Sequence, residues 1–335
     1  MVADERVVQE LSEIRVSVAY FDPSIASENL GDLIIRDAVL KEFGDIFSDE
    51  QIVELTTQEV IGKRTHRLSR SAKYRIIGGT NLLSSFMLKY RQWQIGIRDA
   101  RKLGPITLMG VGWWQYQPNP DLYTRMVLRT ALSESGLHSV RDNYTREKLA
   151  SIGINNVVNT SCPTTWQLTP EHCAMIPRDK GREVVLTLTD YNRSPQFDNH
   201  LIATLLGAYD AVYFWPQGTG DLEYGQQLGL LEKTNLIGPT LAAYDAVLDQ
   251  RPVDFFGTRL HAGIRAMQKG RRATIVAIDN RSSEISRDIG LPTVHRDDLP
   301  HAIDLAINGH QETKLSVPFD QIERWKAQFN NQHSE

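Results

Sequence analysis

Phe256-Gly257-Thr258-Arg259-Leu260-His261-Ala262-Gly263 joins two kinds of hydrophobic pattern. Before it, residues 252–256 form a short apolar run of the kind a buried strand carries. After it, Leu260, Ile264 and Met267 recur at i, i+4, i+7, a helical stripe that faces a core. A strand therefore ends at Gly257, Thr258 stands where a helix cap belongs, and Arg259 and His261 fall in the first turn. Cations sit badly at that end, which carries partial positive charge, at a cost of a few tenths to about 1 kcal/mol. An anion at the spot reverses the sign. Free backbone N–H groups, an arginine fork and an imidazole would then converge on a phosphate or carboxylate. A surface arginine and a histidine bonded to a carbonyl are the plainer alternative.

The same strand-then-helix unit repeats outward along the chain. Apolar runs lie at 14–20, 74–77, 106–110 and 138–140, then at 183–189, 211–215, 253–256 and 274–278. Helical patterns begin near Gly31, Asn81, Pro120 and Tyr144, then near Gln196, Leu222, Leu241 and Arg259. Such alternation predicts an α/β protein with parallel sheets covered on both faces. Two series predict two Rossmann-like domains facing a cleft, residues 1–170 and 182–335. Between them, residues 169–182 are polar and contain Pro170, Pro177 and Gly181. In the last segment, 318–331, Phe319, Ile322, Trp325 and Phe329 share a helical face, so a C-terminal helix should pack on the body. A membrane-surface helix is the weaker alternative, since only Arg324 and Lys326 give it basic charge.

The 335 residues suffice for two domains, and the ordinary composition, 41% hydrophobic and 23% charged, excludes a disordered or disulfide-rich chain. A net charge of −4 offers no global field for nucleic acid. Cys162 and Cys173, with no metal-ligand spacing, fit a reducing compartment. Residues 1–13 are charged and read as no signal peptide, and no apolar stretch reaches the ~20 residues of a membrane span. A cytoplasmic protein is expected, at most peripherally bound to the inner face of the membrane. Oligomeric state is open, with a homo-oligomer among the options.

Ligands of open α/β sheets bind at the carboxyl ends of strands, so the strand-to-helix loops hold the candidate residues. Asn29-Leu30-Gly31-Asp32 follows the first strand. Gly31 permits close approach, and Asn29 or Asp32 can bond a hydroxyl or merely cap the helix. Gly78-Gly79-Thr80-Asn81 and Gly110-Val111-Gly112 allow tight turns beside a ligand or tight helix–strand packing. Trp113 and Trp114 can form a sugar platform or core. Arg141 can reach an anion, with Asp142 orienting it or capping the next helix. Gln217 can bind a carboxylate or hydroxyl, or make a loop contact. There is no G-x-G-x-x-G, Walker A lysine, H-E-x-x-H or G-x-S-x-G, so dinucleotide, triphosphate, zinc and serine-nucleophile readings lack their motifs.

In order and spacing, these segments resemble the polysaccharide pyruvyl transferase family over residues 16–291. Where family members often carry a tyrosine and a lysine near 280–283, this chain has Asp279-Asn280-Arg281. The resemblance implies a GT-B-like pair of domains, the first on the acceptor side and the second on the donor side. It implies phosphoenolpyruvate as donor, a free or lipid-linked oligosaccharide as acceptor, and a pyruvate ketal and phosphate as products. Phosphoenolpyruvate is a co-substrate, and neither cofactor nor metal is expected. Arg259 and Arg141 are assigned to the donor anions, His261 to acid or phosphate contact, and Asn29 and Asp32 to the acceptor, with Leu260, Gly31, Gly79, Gln217 and Trp113 completing the site. A nucleotide-sugar glycosyltransferase and a non-catalytic glycan-binding protein are the alternatives.

Overall fold

The computed structural model describes residues 17–330. Its first sheet contains β1 (Val18–Asp22), β2 (Ile52–Thr56), β3 (Tyr74–Leu83), β4 (Thr107–Trp113), β5 (His138–Val140) and β6 (Val157–Asn159), in the order β2-β1-β3-β4-β5-β6. Its second contains β7 (Glu183–Thr187), β8 (Ala211–Phe214), β9 (Asn235–Leu236), β10 (Val253–Gly257), β11 (Ala273–Ala277) and β12 (Thr293–His295), in the order β12-β11-β10-β7-β8-β9. All pairings are parallel. The expected pair of Rossmann-like sheets is present. The expected first strand is displaced: β1 starts at Val18, and residues 14–16 lie outside the described residues.

Strands buried on both faces need apolar residues at every position, which VAYFD of β1 and VDFFG of β10 nearly provide. The order in each sheet reverses beside β1 and β7, and loops after strands on either side of a reversal splay apart to leave a crevice. The helix expected to begin at Asn81 is absent, because β3 runs on to Leu83 with a register shift against β4 between Thr80 and Leu83.

Helix Gly31–Ile46 of the first half packs against helix Leu260–Gln268 of the second. One apolar cluster accordingly runs through both halves, from Tyr20 and Phe43 to Phe255 and Met267. Helix Phe319–Asn330 belongs to that cluster but crosses back onto the first half. Phe329 meets Phe47 and Tyr74 edge-on, and Gln328 exchanges hydrogen bonds with the Leu137 backbone at 2.8 and 3.0 Å. By chain position this helix goes with the second domain; its apolar face instead completes the first. Trp325 is fully buried, so that face is not available to a membrane.

Candidate active site

The capping expected at Thr258 is moved by one residue. Helix Leu260–Gln268 has Arg259 as its N-cap, while Thr258 is tied to Thr187 through its backbone N–H. Arg259 is 4% exposed and already holds anions. Its guanidinium makes a two-pronged contact with Asp221 and reaches Asp190 at 3.1 Å. Asp221 also accepts the N–H groups of Asp190, Gln217 and Gly218. The unfavourable cation at this helix start is thus balanced by the protein's own carboxylates.

Between the halves lies a cavity of about 240 Å3. The first half lines it with Asn29, Asp32 and Arg141, and the second with His261. Four residues that sequence reasoning assigned to the site therefore converge. Arg259, Leu260, Gly31, Gly79, Gln217 and Trp113 stand outside this lining. Leu260 is core. A side chain on Gly79 would run into Ile35 at 2.9 Å, so this glycine serves helix–strand packing. Trp113 is wholly buried, its indole N–H donating to Gln117 at 3.2 Å; the neighbouring Trp114 lines the cavity. Gln217 works behind the site. Its amide donates to the Asn29 side chain at 2.7 Å, and its carbonyl accepts the Leu30 N–H at 2.9 Å, fastening the two loops together. Gly31 leaves room for that amide, since a Cβ would sit 2.7 Å from it.

Arg141 is fully buried at the end of β5. Nε reaches Asp142 at 3.3 Å, Nη2 donates to the side-chain amide oxygen of Asn81, and Nη1 has no partner among the described residues. Asp142 also caps the next helix through the Thr145 N–H at 2.7 Å. Gly112 makes the space: a Cβ there would collide with the Arg141 guanidinium. Beside Arg141 stands Arg281, held by Asp279 at 2.9 Å through Nε and touching the Tyr191 hydroxyl. Burial pushes the Asp279 carboxyl up, but Arg281 and Arg141 hold it below the usual range overall.

Burial, then Arg281 and Arg141, pushes the His261 imidazole down to about 3, so it is neutral near pH 7 in the open site. Its Nε2 lies 3.8 Å from the Cys162 sulfur, whose thiol is itself pushed up by burial. Burial raises Asp32 to about 6, partly offset by Ser27, which donates at 2.5 Å, and by Arg281 and Thr80. Thr80 has φ of 126°, an unusual value for a β-branched residue, and marks backbone strain at the cavity wall. Thr80, Asn81, Tyr191, Asp279 and Arg281 were missed as site residues. In Gly78-Gly79-Thr80-Asn81 the glycines lie against Val39 and Ile35, and it is the last two residues that reach the cavity. Among the described residues, no three His, Cys, Asp or Glu side chains are grouped to hold a metal. A site with an unpartnered guanidinium N–H, a second arginine beside it, a neutral imidazole and a carboxylate of raised pKa can bind a small polyanion and move protons beside it.

A family model for polysaccharide pyruvyl transferase matches residues 29–231, more than half of the chain. No curated protein matches at a significant level. Among solved structures, S. aureus MnaA in its co-structure with UDP shares 11% identity, with a TM-score of 0.58 over 95% of this chain and 97% of that one. A Listeria monocytogenes protein described as a UDP-N-acetylglucosamine 2-epimerase shares 11% identity, with a TM-score of 0.51 over 95% and 97%. At that identity the likeness is one of fold, two parallel α/β domains of GT-B type.

Proposed function

Because the chain belongs to the polysaccharide pyruvyl transferase family, we propose that it transfers pyruvyl from phosphoenolpyruvate to two hydroxyls of one glycan sugar, forming a ketal and releasing phosphate. The observation that carries the donor is Arg141 Nη1, a buried guanidinium N–H without a partner in the cavity wall. A buried donor of this kind is costly unless a ligand completes it, and a phosphate or carboxylate oxygen is its natural acceptor. Arg281, adjacent in the same wall, supplies the second cation that a donor with both a phosphate and a carboxylate calls for. Arg259 acts as a support, bracing the strand end against Asp221 rather than touching the donor.

The reaction adds a proton to the methylene carbon while one sugar hydroxyl bonds to the neighbouring carbon. The second hydroxyl then displaces phosphate at that carbon. One hydroxyl proton replaces the proton given to the methylene, and the other leaves with phosphate. Asp32 takes the proton of the attacking hydroxyl. His261 gives the methylene proton after the bound anion has offset the two arginines that keep it neutral. Asn29 orients the acceptor, and Trp114 offers it a ring face. The test is phosphate release from phosphoenolpyruvate across a glycan panel, with Arg141→Ala alongside. Acceptor-dependent release that falls by more than about a hundredfold in the variant is expected, the scale of a lost charged contact. Nucleotide release from a sugar nucleotide, with none from phosphoenolpyruvate, would refute this reading.

A further inference from the structure

Residues 63–129 carry thirteen lysines and arginines against two acids, Asp99 and Asp121, in a chain whose net charge is −4. The fold gathers the helices of this segment into one layer outside the sheet that its strands join. Helices Lys63–Ser71, Ile97–Leu103 and Leu122–Ala131 pack side by side in that order and bury their apolar residues in a single cluster under the first sheet. Their outer side presents Lys63, Arg64, Arg67, Arg98, Arg101 and Arg129, all exposed. Neither acid offsets them. Asp99 pairs with His66 at 3.0 Å, and Asp121 caps its helix through the Thr124 N–H at 2.7 Å. Among the described residues, none of those six cations makes an ion pair. Arg101 and Arg129 face one groove of about 640 Å3 between two of the helices, where Glu134 is the acid present.

Apolar side chains stand exposed along the same layer. Leu122 is 82% exposed, and Leu88 and Met126 lie open as well. Leu88 rides on a tight turn closed by the Lys89 and Tyr90 N–H groups on the Phe86 carbonyl. The Met87 N–H ties that turn to Thr124 of the neighbouring helix at 3.0 Å. The turn also reaches the site: Lys89 lies over the Tyr90 ring, and Tyr90 packs on Trp114 at 4.6 Å, in the cavity wall.

We propose that this helical layer docks the protein on an anionic lipid bilayer. Unpaired cations are drawn to the surface potential of anionic lipids, and isolated leucine and methionine side chains gain by entering the headgroup boundary. An acidic polymer would satisfy the charges but give the apolar side chains nothing to enter. That a lipid-carried acceptor is thereby brought to the cavity mouth rests on the proposed reaction; the docking itself does not.

The full chain is floated with vesicles of phosphatidylcholine alone and with added phosphatidylglycerol. Binding to the anionic vesicles only, weakened by salt, is expected. Arg64→Glu/Arg67→Glu/Arg101→Glu should bind on the order of a hundredfold more weakly. Leu88→Ser/Leu122→Ser should lose a smaller but clear part. Both variants should keep their circular dichroism and their phosphate release with a soluble acceptor, so docking and chemistry are read apart. Wild-type protein that ignores anionic vesicles, or a charge-reversed variant that binds as well as wild type, would overturn the proposal. So would a soluble acidic polysaccharide that displaces the vesicles completely while the Leu88/Leu122 variant binds normally, since the partner would then be a polyanion.

Discussion

Asp32 and His261 carry opposite departures from ordinary acidity. The Asp32 carboxyl is raised from 3.8 to about 6, so its ionised form is disfavoured in the folded state. Between those values the folded protein binds more protons than the unfolded chain. Stability therefore falls as pH rises through that window, by roughly 3 kcal/mol in all. Asp32→Asn should abolish turnover and raise the melting temperature at pH 7; a variant that loses stability instead would show that the ionised carboxylate is a structural element. His261 is lowered from 6.5 to about 3, so its neutral form is favoured, and stability is lost as pH falls below 6.5. On the proposed function, an anionic donor bound beside Arg281 and Arg141 would offset them and bring the imidazole back up. Phosphoenolpyruvate binding should thus take up a proton, increasingly so from pH 7 toward 5. Calorimetry in buffers of different ionisation enthalpy measures this, and uptake that persists unchanged in His261→Asn would assign the proton elsewhere. Arg259 behaves differently from both. Removing it leaves Asp221 buried without its counter-charge, so Arg259→Ala should cost roughly 3–5 kcal/mol in denaturant unfolding. A folded, equally stable variant with lost donor affinity would instead make Arg259 a donor ligand.

At the scale of elements, the strands that sequence reasoning found are the eight inner ones, and the four it missed, β2, β6, β9 and β12, are the four sheet edges. The reason is burial. Inner strands such as β1 and β10 are buried at every position and read as apolar runs, whereas IVELT of β2 is mostly half-exposed and β9 is wholly exposed. Helix Lys63–Ser71, KRTHRLSRS, was missed because its face toward the core is little more than Leu68 and Ser69. Cavity-lining residues are legible where a strand end announces them, as at Arg141 and His261. Partnerships were not: nothing local to Arg259 tells that Asp221, far along the chain, folds back onto it. The loops that join the halves give a test at this scale. Gly31→Ala would press on the Gln217 amide and break its bond to Asn29, so a stability loss of about 1–2 kcal/mol and a raised KM are expected. Gly112→Ala would displace the Arg141 guanidinium and should weaken donor binding more than it destabilises the fold. Equal donor affinity in calorimetry for Gly112→Ala and wild type would break the link between that glycine and Arg141.

Over the whole molecule, the two sheets are joined by more than the cavity. The apolar cluster that starts in β1 and helix Gly31–Ile46 continues through helix Leu260–Gln268 and closes with helix Phe319–Asn330. Interfaces that are large and apolar resist relative motion, whereas polar ones permit it. Polar ties reinforce this one: Asp288 accepts from Asn143 at 2.9 Å and from Asn159 at 2.8 Å, and Asn280 donates to the Trp113 carbonyl at 3.1 Å. The C-terminal helix makes the consequence measurable. It is covalently part of the second half, yet Ile322, Trp325 and Phe329 are buried against the first. Trp325 is the largest of these, so Trp325→Ala should cost about 3–5 kcal/mol through the cavity it leaves. That is a large fraction of the roughly 5–15 kcal/mol that holds a domain together. Because the cluster is shared, the loss should not be confined to the half that receives the helix. Melting of wild type and variant, followed by far-ultraviolet circular dichroism and by residual phosphate release, should show a single transition, lowered as a unit in Trp325→Ala. If the variant instead melts in two steps, with the second sheet persisting at the wild-type temperature, the halves are independent folding units and the helix is a strap between them.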